Sequence, residues 1–288
     1  PVIYAEKGFL NAFVESQIIN DSNIKLKSLI CDNAINIVPK HAECILELYD
    51  IDIDELKNKL SNIITENNFH IEIETLDNNQ IKIISTGVAA HAAHPDLGVN
   101  ALSRLLILLN KIFTAYNINH SIFNYIDSKI NTTLNGELLN IDCNDESGNL
   151  TLNIGNLKYE NNILKIGLNI RIPVTIYSSI IKQKIADSIL DFTDISVYFA
   201  DEKPALYVPK NDPLVTTLCD IFNESTGKNC EPITCSGATY ARAFKNVVSF
   251  GCNMPGHIDL CHQADEYIDI DTLFKSIEIY IKAIWKLS

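Results

Sequence analysis

The sequence predicts a mixed α/β protein in two parts, and three observations carry that expectation. Apolar and polar residues alternate through several short runs, the period of half-buried strands. Between those runs lie stretches with apolar residues three and four apart, the period of a helix face. At 288 residues the chain can bury a large core, and that length corresponds to about two domains.

Taken in order, residues 1–20 read as strand, with Val2, Tyr4, Phe9, Ala12, Val14 and Ile18 alternating around a break at Glu6-Lys7-Gly8. Lys25 to Ile30 is a second strand. Asp32 to Pro39, rich in Asn and Asp, is a loop. The first helix runs from about Asp54 to Glu66, with Leu56, Leu60, Ile63 and Ile64 in register and Asp52 with Glu55 in the positions of a capping box. His70 to Glu74 and Ile81 to Ile84 form a hairpin around Asp77-Asn78-Asn79. Ser85 to Ala101 is a loop by its Gly and Pro content, and an apolar helix follows to Tyr116. Asn119 to Pro173 reads as short strands separated by polar turns. A helix carrying Ile181, Ile185 and Ile189 comes next, then a strand from Ile195 to Ala200.

Past Asp201, Asp212-Pro213 starts a helix whose stripe is Leu214, Leu218, Ile221 and Phe222. Strand and loop lead to Cys252, and a last helix from about Asp271 to Leu287 has Leu273, Ile277, Ile281 and Ile284 on one face. Residues 9–200 therefore form one domain of two ββαβ-type halves, and residues 1–8 with 201–288 form a second. That second domain is too small a part of a sheet to stand alone. The chain opens inside an apolar strand and its single methionine is Met254, so it reads as a fragment whose partner strands precede Pro1.

Composition excludes several classes. A net charge of -13 offers no basic stripe for nucleic acid. The longest apolar run, Leu105 to Leu109, is far short of the roughly 20 residues of a membrane span. No secretion signal stands at the start. The eight cysteines are scattered without a Cys-x-x-Cys pair, which speaks against a zinc ribbon or a disulfide framework and makes a reducing cytoplasm the simplest location.

The chemistry-bearing residues fall in five places. Gly256 to Tyr267 holds His257, His262 and three carboxylates; His262 has acceptors beside it that can orient an imidazole, but one histidine cannot hold a zinc alone. His91 and His94 lie on the small-residue loop, where Pro95 forbids a helix across both; His94 is the more ordinary solvated histidine. Arg171, in Leu168-Asn169-Ile170-Arg171-Ile172-Pro173, either pairs with a carboxylate of the protein or is presented to a carboxylate ligand, and the residues leave both readings open. Ser236 to Arg242, with Gly237 and Thr239, is a small-residue turn whose N–H groups suit an anion. Asn36 alone is a loop asparagine.

Together, and in this order, these segments resemble the M20 family of metallopeptidases, most closely its PepV-like branch of Xaa-His or β-alanyl dipeptidases. The resemblance runs through Pro1 to Gly8, Asn36-Ile37-Val38-Pro39, Gly87 to Ala101, Asn169 to Pro173, Thr239 to Arg242 and Pro255 to Tyr267, end to end. It implies a partial zinc-peptidase-type catalytic α/β domain (residues 1–8 and 201–288) with an inserted α+β lid of two ferredoxin-like halves (9–200). It implies two divalent metal ions, zinc by family habit, with His262 as one ligand and the other ligands upstream of Pro1. His91 takes the place of the histidine that stabilises the oxyanion, and Asn36, Arg171, Gly237 and Thr239 those of substrate-binding groups. The implied activity is hydrolysis of a small peptide's amide bond by the intact protein, with the missing N-terminal segment as partner and this chain alone inactive. Another M20-type amidohydrolase, such as an N-acyl-amino-acid deacylase, or a non-catalytic lid fragment are the alternatives. The chain departs from the family at Ser236 and Ala238, where glycine is usual, and at Asp265, where asparagine is usual.

Overall fold

The computed structural model describes residues 2–76, 79–192, 194–251, 254, 256 and 265–288. Their contacts divide them into two compact units, one of Gly8–Lys203 and one of residues 1–7 with Pro204–Ser288. β1 (Val2–Glu6) belongs to the split unit, and the chain passes at once into the continuous one.

The continuous unit runs β2 (Gly8–Gln17), β3 (Ile24–Ile30), β4 (His41–Leu48), α1 (Ile53–Glu66), β5 (Ile71–Leu76), β6 (Gln80–Thr86), α2 (Ala101–Ala115), α3 (Ser121–Lys129), β7 (Asn144–Asp145), β8 (Gly148–Asn149), β9 (Thr151–Glu160), β10 (Ile163–Ile172), α4 (Ser178–Ser188) and β11 (Ile195–Lys203). Its strands make two antiparallel four-stranded sheets, ordered β3-β4-β6-β5 and β11-β2-β10-β9, beside the small β7-β8 hairpin. The pleat explains which side chains are buried. Along β4, Ala42, Cys44, Leu46 and Leu48 point into the core while Glu43 and Glu47 alternate with them on the other face.

Helices cover these sheets for reasons visible in their ends and faces. Asp52 accepts hydrogen bonds from the Asp54 and Glu55 amides and so starts α1, which buries Leu56 and Leu60. Glu55 turns to Lys59 instead of back to the cap. Asn100 accepts from the Ser103 amide and starts α2. α2 is apolar almost all round, because it packs on β4, β6 and β9 and against α1 and α3 together. Full burial of each of its leucines contributes about 1.5–3 kcal/mol, and Leu102, Leu105, Leu106, Leu108 and Leu109 are all buried. One contiguous core joins both sheets and the helices of this unit.

Residues 119–173 differ from the expected series of short strands. Ser121–Lys129 is the helix α3, burying Ile122, Phe123, Tyr125 and Ile126; aromatic and β-branched residues disguise its helical spacing as strand composition. β9 and β10 are ten residues each, joined by Asn161 and Asn162 with φ of 52° and 60°, the left-handed pair that a type I′ turn requires. β4 is a further strand in a stretch for which the sequence reading named no element. Of the expected turn at Asp77-Asn78-Asn79, the first two residues lie outside the described residues, and Asn79 has φ 58°.

In the split unit, β1 pairs in parallel with β13 (Ile233–Cys235) and antiparallel with β12 (Leu206–Tyr207) and β14 (Ser249–Phe250). α5 (Pro213–Thr226) begins where Asp212 accepts from the Leu214 amide, and it ends at Gly227, whose φ is 66°. It buries Val215, Leu218, Ile221 and Phe222, with Leu214 only half-buried. α6 (Ile270–Leu287) is the last helix the sequence predicts, and it turns its apolar face outward. Its expected apolar face, Leu273, Ile277, Ile281 and Ile284, is exposed, and the helix buries Thr272, Ser276, Ile279 and Ala283. No helix among the described residues is long and apolar enough to cross a membrane.

Candidate functional site

The continuous unit positions Asn36, His91 and Arg171. The loop 87–99 is closed by a two-way bridge in which Val88 and Val99 exchange N–H···O bonds of 3.0 and 2.9 Å. Gly87 is required there, because a Cβ at that position would lie 2.0 Å from the Val99 carbonyl oxygen. The loop also pairs with residues 36–38: Ile37 bridges His91, Ala92 donates to the Asn36 carbonyl at 2.8 Å, and Val38 donates to the Ala90 carbonyl at 2.8 Å. Asn36 and His91 are thus neighbours across one short ladder, and both are exposed. The Asn36 loop is itself pinned to β9, where Asn33 Nδ2 donates to the Gly155 carbonyl at 3.0 Å and a Cβ on Gly155 would lie 2.0 Å from the Ile35 oxygen.

His91 Nδ1 accepts from the Ala93 amide at 3.1 Å. In the neutral ring this leaves the proton on Nε2, so the imidazole is set as a donor at its outer nitrogen. His94 is exposed; its amide donates to the His91 carbonyl at 2.9 Å.

Arg171 stands on β10 and is buried. Its Nε donates to Asn169 Oδ1 at 3.1 Å, and its guanidinium lies 5.2 Å from the centre of the Phe9 ring. Asn169 in turn donates to Asn11 at 2.7 Å, so a chain of amides across β10 and β2 fixes the arginine's stem.

The split unit holds Gly237 and Thr239. Their turn is tied to β1 by Glu6, a carboxylate with no solvent exposure. Glu6 accepts from the Thr239 amide at 3.1 Å and its hydroxyl, from Arg242 Nε at 2.7 Å and from the Ser249 hydroxyl at 3.3 Å. Arg242 also donates to the carbonyls of Lys7, Pro204 and Gly237. The Thr239 amide and hydroxyl are therefore engaged within the protein, and the Gly237 amide faces the Cys235 sulfur at 3.3 Å. Ala238 is not among the residues of positive φ, so the alanine replacing the family's usual glycine carries no left-handed strain. Asp265 does have a positive φ, 60°, a conformation that Asp and Asn tolerate better than most residues. The sequence reading passed over Glu6, although a glutamate closing an apolar strand is itself a sign of a buried, paired carboxylate.

His262 lies outside the described residues, as does His257. Among the described residues, no three His, Cys, Asp or Glu side chains come together to hold a metal ion. The described residues do not form a metal site on their own.

The family model for "Peptidase family M20/M25/M40" matches residues 33–286, and the chain belongs to that family, whose members are generally metal-dependent. It is 33% identical over 297 residues to "Putative dipeptidase YtjP" of Bacillus subtilis, covering 100% of this chain and 62% of the relative. A Staphylococcus aureus protein of the same description is 29% identical over 304 residues, again with 100% and 62% covered. The chain thus spans about three-fifths of the length of the curated relatives it matches. Among solved structures, the aminoacylhistidine dipeptidase of Vibrio alginolyticus aligns with 98% of this chain and 62% of its own, at 15% identity and a TM-score of 0.48, too loose a likeness to carry an argument.

Proposed function

We propose that the intact protein is a metal-dependent amide hydrolase of the M20 type, and that this chain supplies its oxyanion donor and substrate contacts. The observation that carries the reading is His91, with Nδ1 held by the Ala93 amide on a stapled loop, so that the neutral ring carries its proton on Nε2. A donor fixed before reaction stabilises the charge that develops on a carbonyl oxygen under attack. Asn36, beside it, contacts the substrate, and Arg171, on the same unit, takes its carboxylate. Residues 9–200 act as a lid of two ferredoxin-like halves, and residues 1–8 with 201–288 as part of the catalytic domain.

Two divalent ions, of the zinc type, would activate the attacking water, with His262 among their ligands and the remaining ligands on a segment N-terminal to these residues. The chain covers 62% of the relatives' length, which leaves room for such a segment. The substrate is an amide that itself carries a carboxylate, N-acyl-amino acids included; dipeptides are the narrower reading, favoured by the relatives' descriptions.

The test is a panel of dipeptides and N-acyl-amino acids offered to the intact protein and its His91→Ala variant. The expected loss is about 10²–10³ in kcat with little change in KM. An unchanged kcat removes His91 from the reaction, and turnover by the 288-residue chain alone removes the need for ligands elsewhere.

A further inference from the structure

We propose that the continuous unit carries a second binding site, for a small carboxylate with an apolar body, centred on Arg104. The site is a cavity of about 290 Å³ between the start of α2, the end of α1 and β9. None of Asn36, His91 and Arg171 lines it.

Three observations converge on a missing anion. Arg104 Nη1 is fully buried and has no hydrogen-bond partner. Among the described residues, Arg104 is the sole ionisable one lining the cavity, in a chain with 36 acidic residues to draw on. And Arg104 sits in the first turn of the fifteen-residue α2, where the helix dipole already places positive charge. A guanidinium cannot shed its proton to escape; the side chain as a whole is half-buried, and the partial burial pulls its basicity down. Among the described residues, the attractive contact the guanidinium makes is with the Phe69 ring, 5.5 Å away.

The walls select the rest of the ligand. Phe69, Val99, Ile130 and Leu152 give the apolar half of the lining, and Asn67, Ser103, Thr132 and Thr133 add polar groups beside them. The neighbouring amides are committed inside the protein: Asn100 donates to Asn153 and to the Ile154 carbonyl, Asn131 to Asp127, and Asn153 to the Ile37 carbonyl. One fork and an apolar body match a monocarboxylate, which takes two parallel bonds from arginine. A phosphate would ask for donors around its whole surface. With no carboxylate in the lining, a free ammonium group finds no counter-charge, so the ligand is a simple branched-chain carboxylate or an N-blocked amino acid.

Isothermal titration of the 288-residue chain tests this with 4-methylpentanoate, 4-methylpentanamide, leucine and inorganic phosphate. Saturable one-to-one binding of 4-methylpentanoate is expected, with no detectable binding of the amide and weaker binding of leucine and phosphate. Arg104→Met should weaken the carboxylate at least tenfold, Arg104→Lys less, and the melting temperature of Arg104→Met should hold or rise. No binding of 4-methylpentanoate at millimolar concentration, or equal binding by Arg104→Met, overturns the site. Phosphate binding as tightly as the carboxylate overturns the ligand class. A lower melting temperature for Arg104→Met, with binding intact, makes Arg104 a structural cation stacked on Phe69.

Discussion

The two units bury their apolar residues in opposite ways. In the continuous unit every long helix and strand turns its apolar face to a shared core, and α2 has almost no other kind of face. In the split unit the strands are two to five residues long, and α6 turns its richest stripe outward: Leu273, Phe274, Ile277, Ile281, Ile284 and Trp285 are exposed while Thr272, Ser276 and Ala283 are buried. The same periodicity therefore has two meanings. In α2 it marks a core already closed; in α6 it marks a surface that water covers poorly.

Paired core and surface truncations give the largest contrast. Leu105→Ala should cost about 3–5 kcal/mol, since Leu105 is fully buried, whereas Ile284→Ala should change stability by less than about 0.5 kcal/mol, because Ile284 is 70% exposed. Urea unfolding of the 288-residue chain measures both; equal costs would break the comparison.

Next in size is the Glu6 knot. Glu6→Gln leaves Arg242 without its carboxylate, and losing one partner of a buried pair costs about 3–5 kcal/mol. Hydrogen exchange should show the loss in β1, β13 and the 239–243 turn while β9 and β10 keep their protection. Loss spread evenly over both units would mean that they unfold as one.

The smallest effect is a pH dependence confined to the continuous unit. Burial pushes His120 below the ordinary imidazole range, against the weaker upward pull of Asp21 and Asp194. Its ring stacks edge-on with Phe113 at 4.6 Å, and Nε2 is buried without a partner. The unfolded chain therefore binds the proton more readily than the folded one, and stability falls as pH drops below about 6.5, by at most about 1.4 kcal/mol per unit. His120→Leu should flatten that acid limb of the urea midpoint while leaving the value at pH 7 within about 1 kcal/mol.

Much of this was readable before folding. The caps Asp52, Asn100 and Asp212 each sit where their helix begins, because a short side chain with an acceptor before an apolar period satisfies free amides locally. Local signals fail where the deciding partner is distant. In isolation Ile122, Phe123 and Tyr125 favour sheet, so α3 reads as strand, and packing on α2 makes it helical. Asn161-Asn162 between two alternating runs is a local signal of a tight hairpin, and both residues have positive φ. At the candidate site, the ladder joining Asn36 to His91 links residues 55 apart in sequence, and no local pattern reports it. The Arg104 cavity was equally invisible: an arginine in a helical register reads as a solvated face until the absence of its partner is seen.

The ends of the continuous unit have a consequence for how such a protein can be taken apart. Phe9, near its start, lies opposite Lys203, its last residue, across the β2–β11 ladder. Paired residues on adjacent strands are about 5 Å apart, so Gly8–Lys203 leaves and re-enters its host at nearly one point. It has the shape of a cassette: cut out and closed with a few glycines, or opened at the β9–β10 hairpin and circularly permuted, it keeps its two sheets and their core.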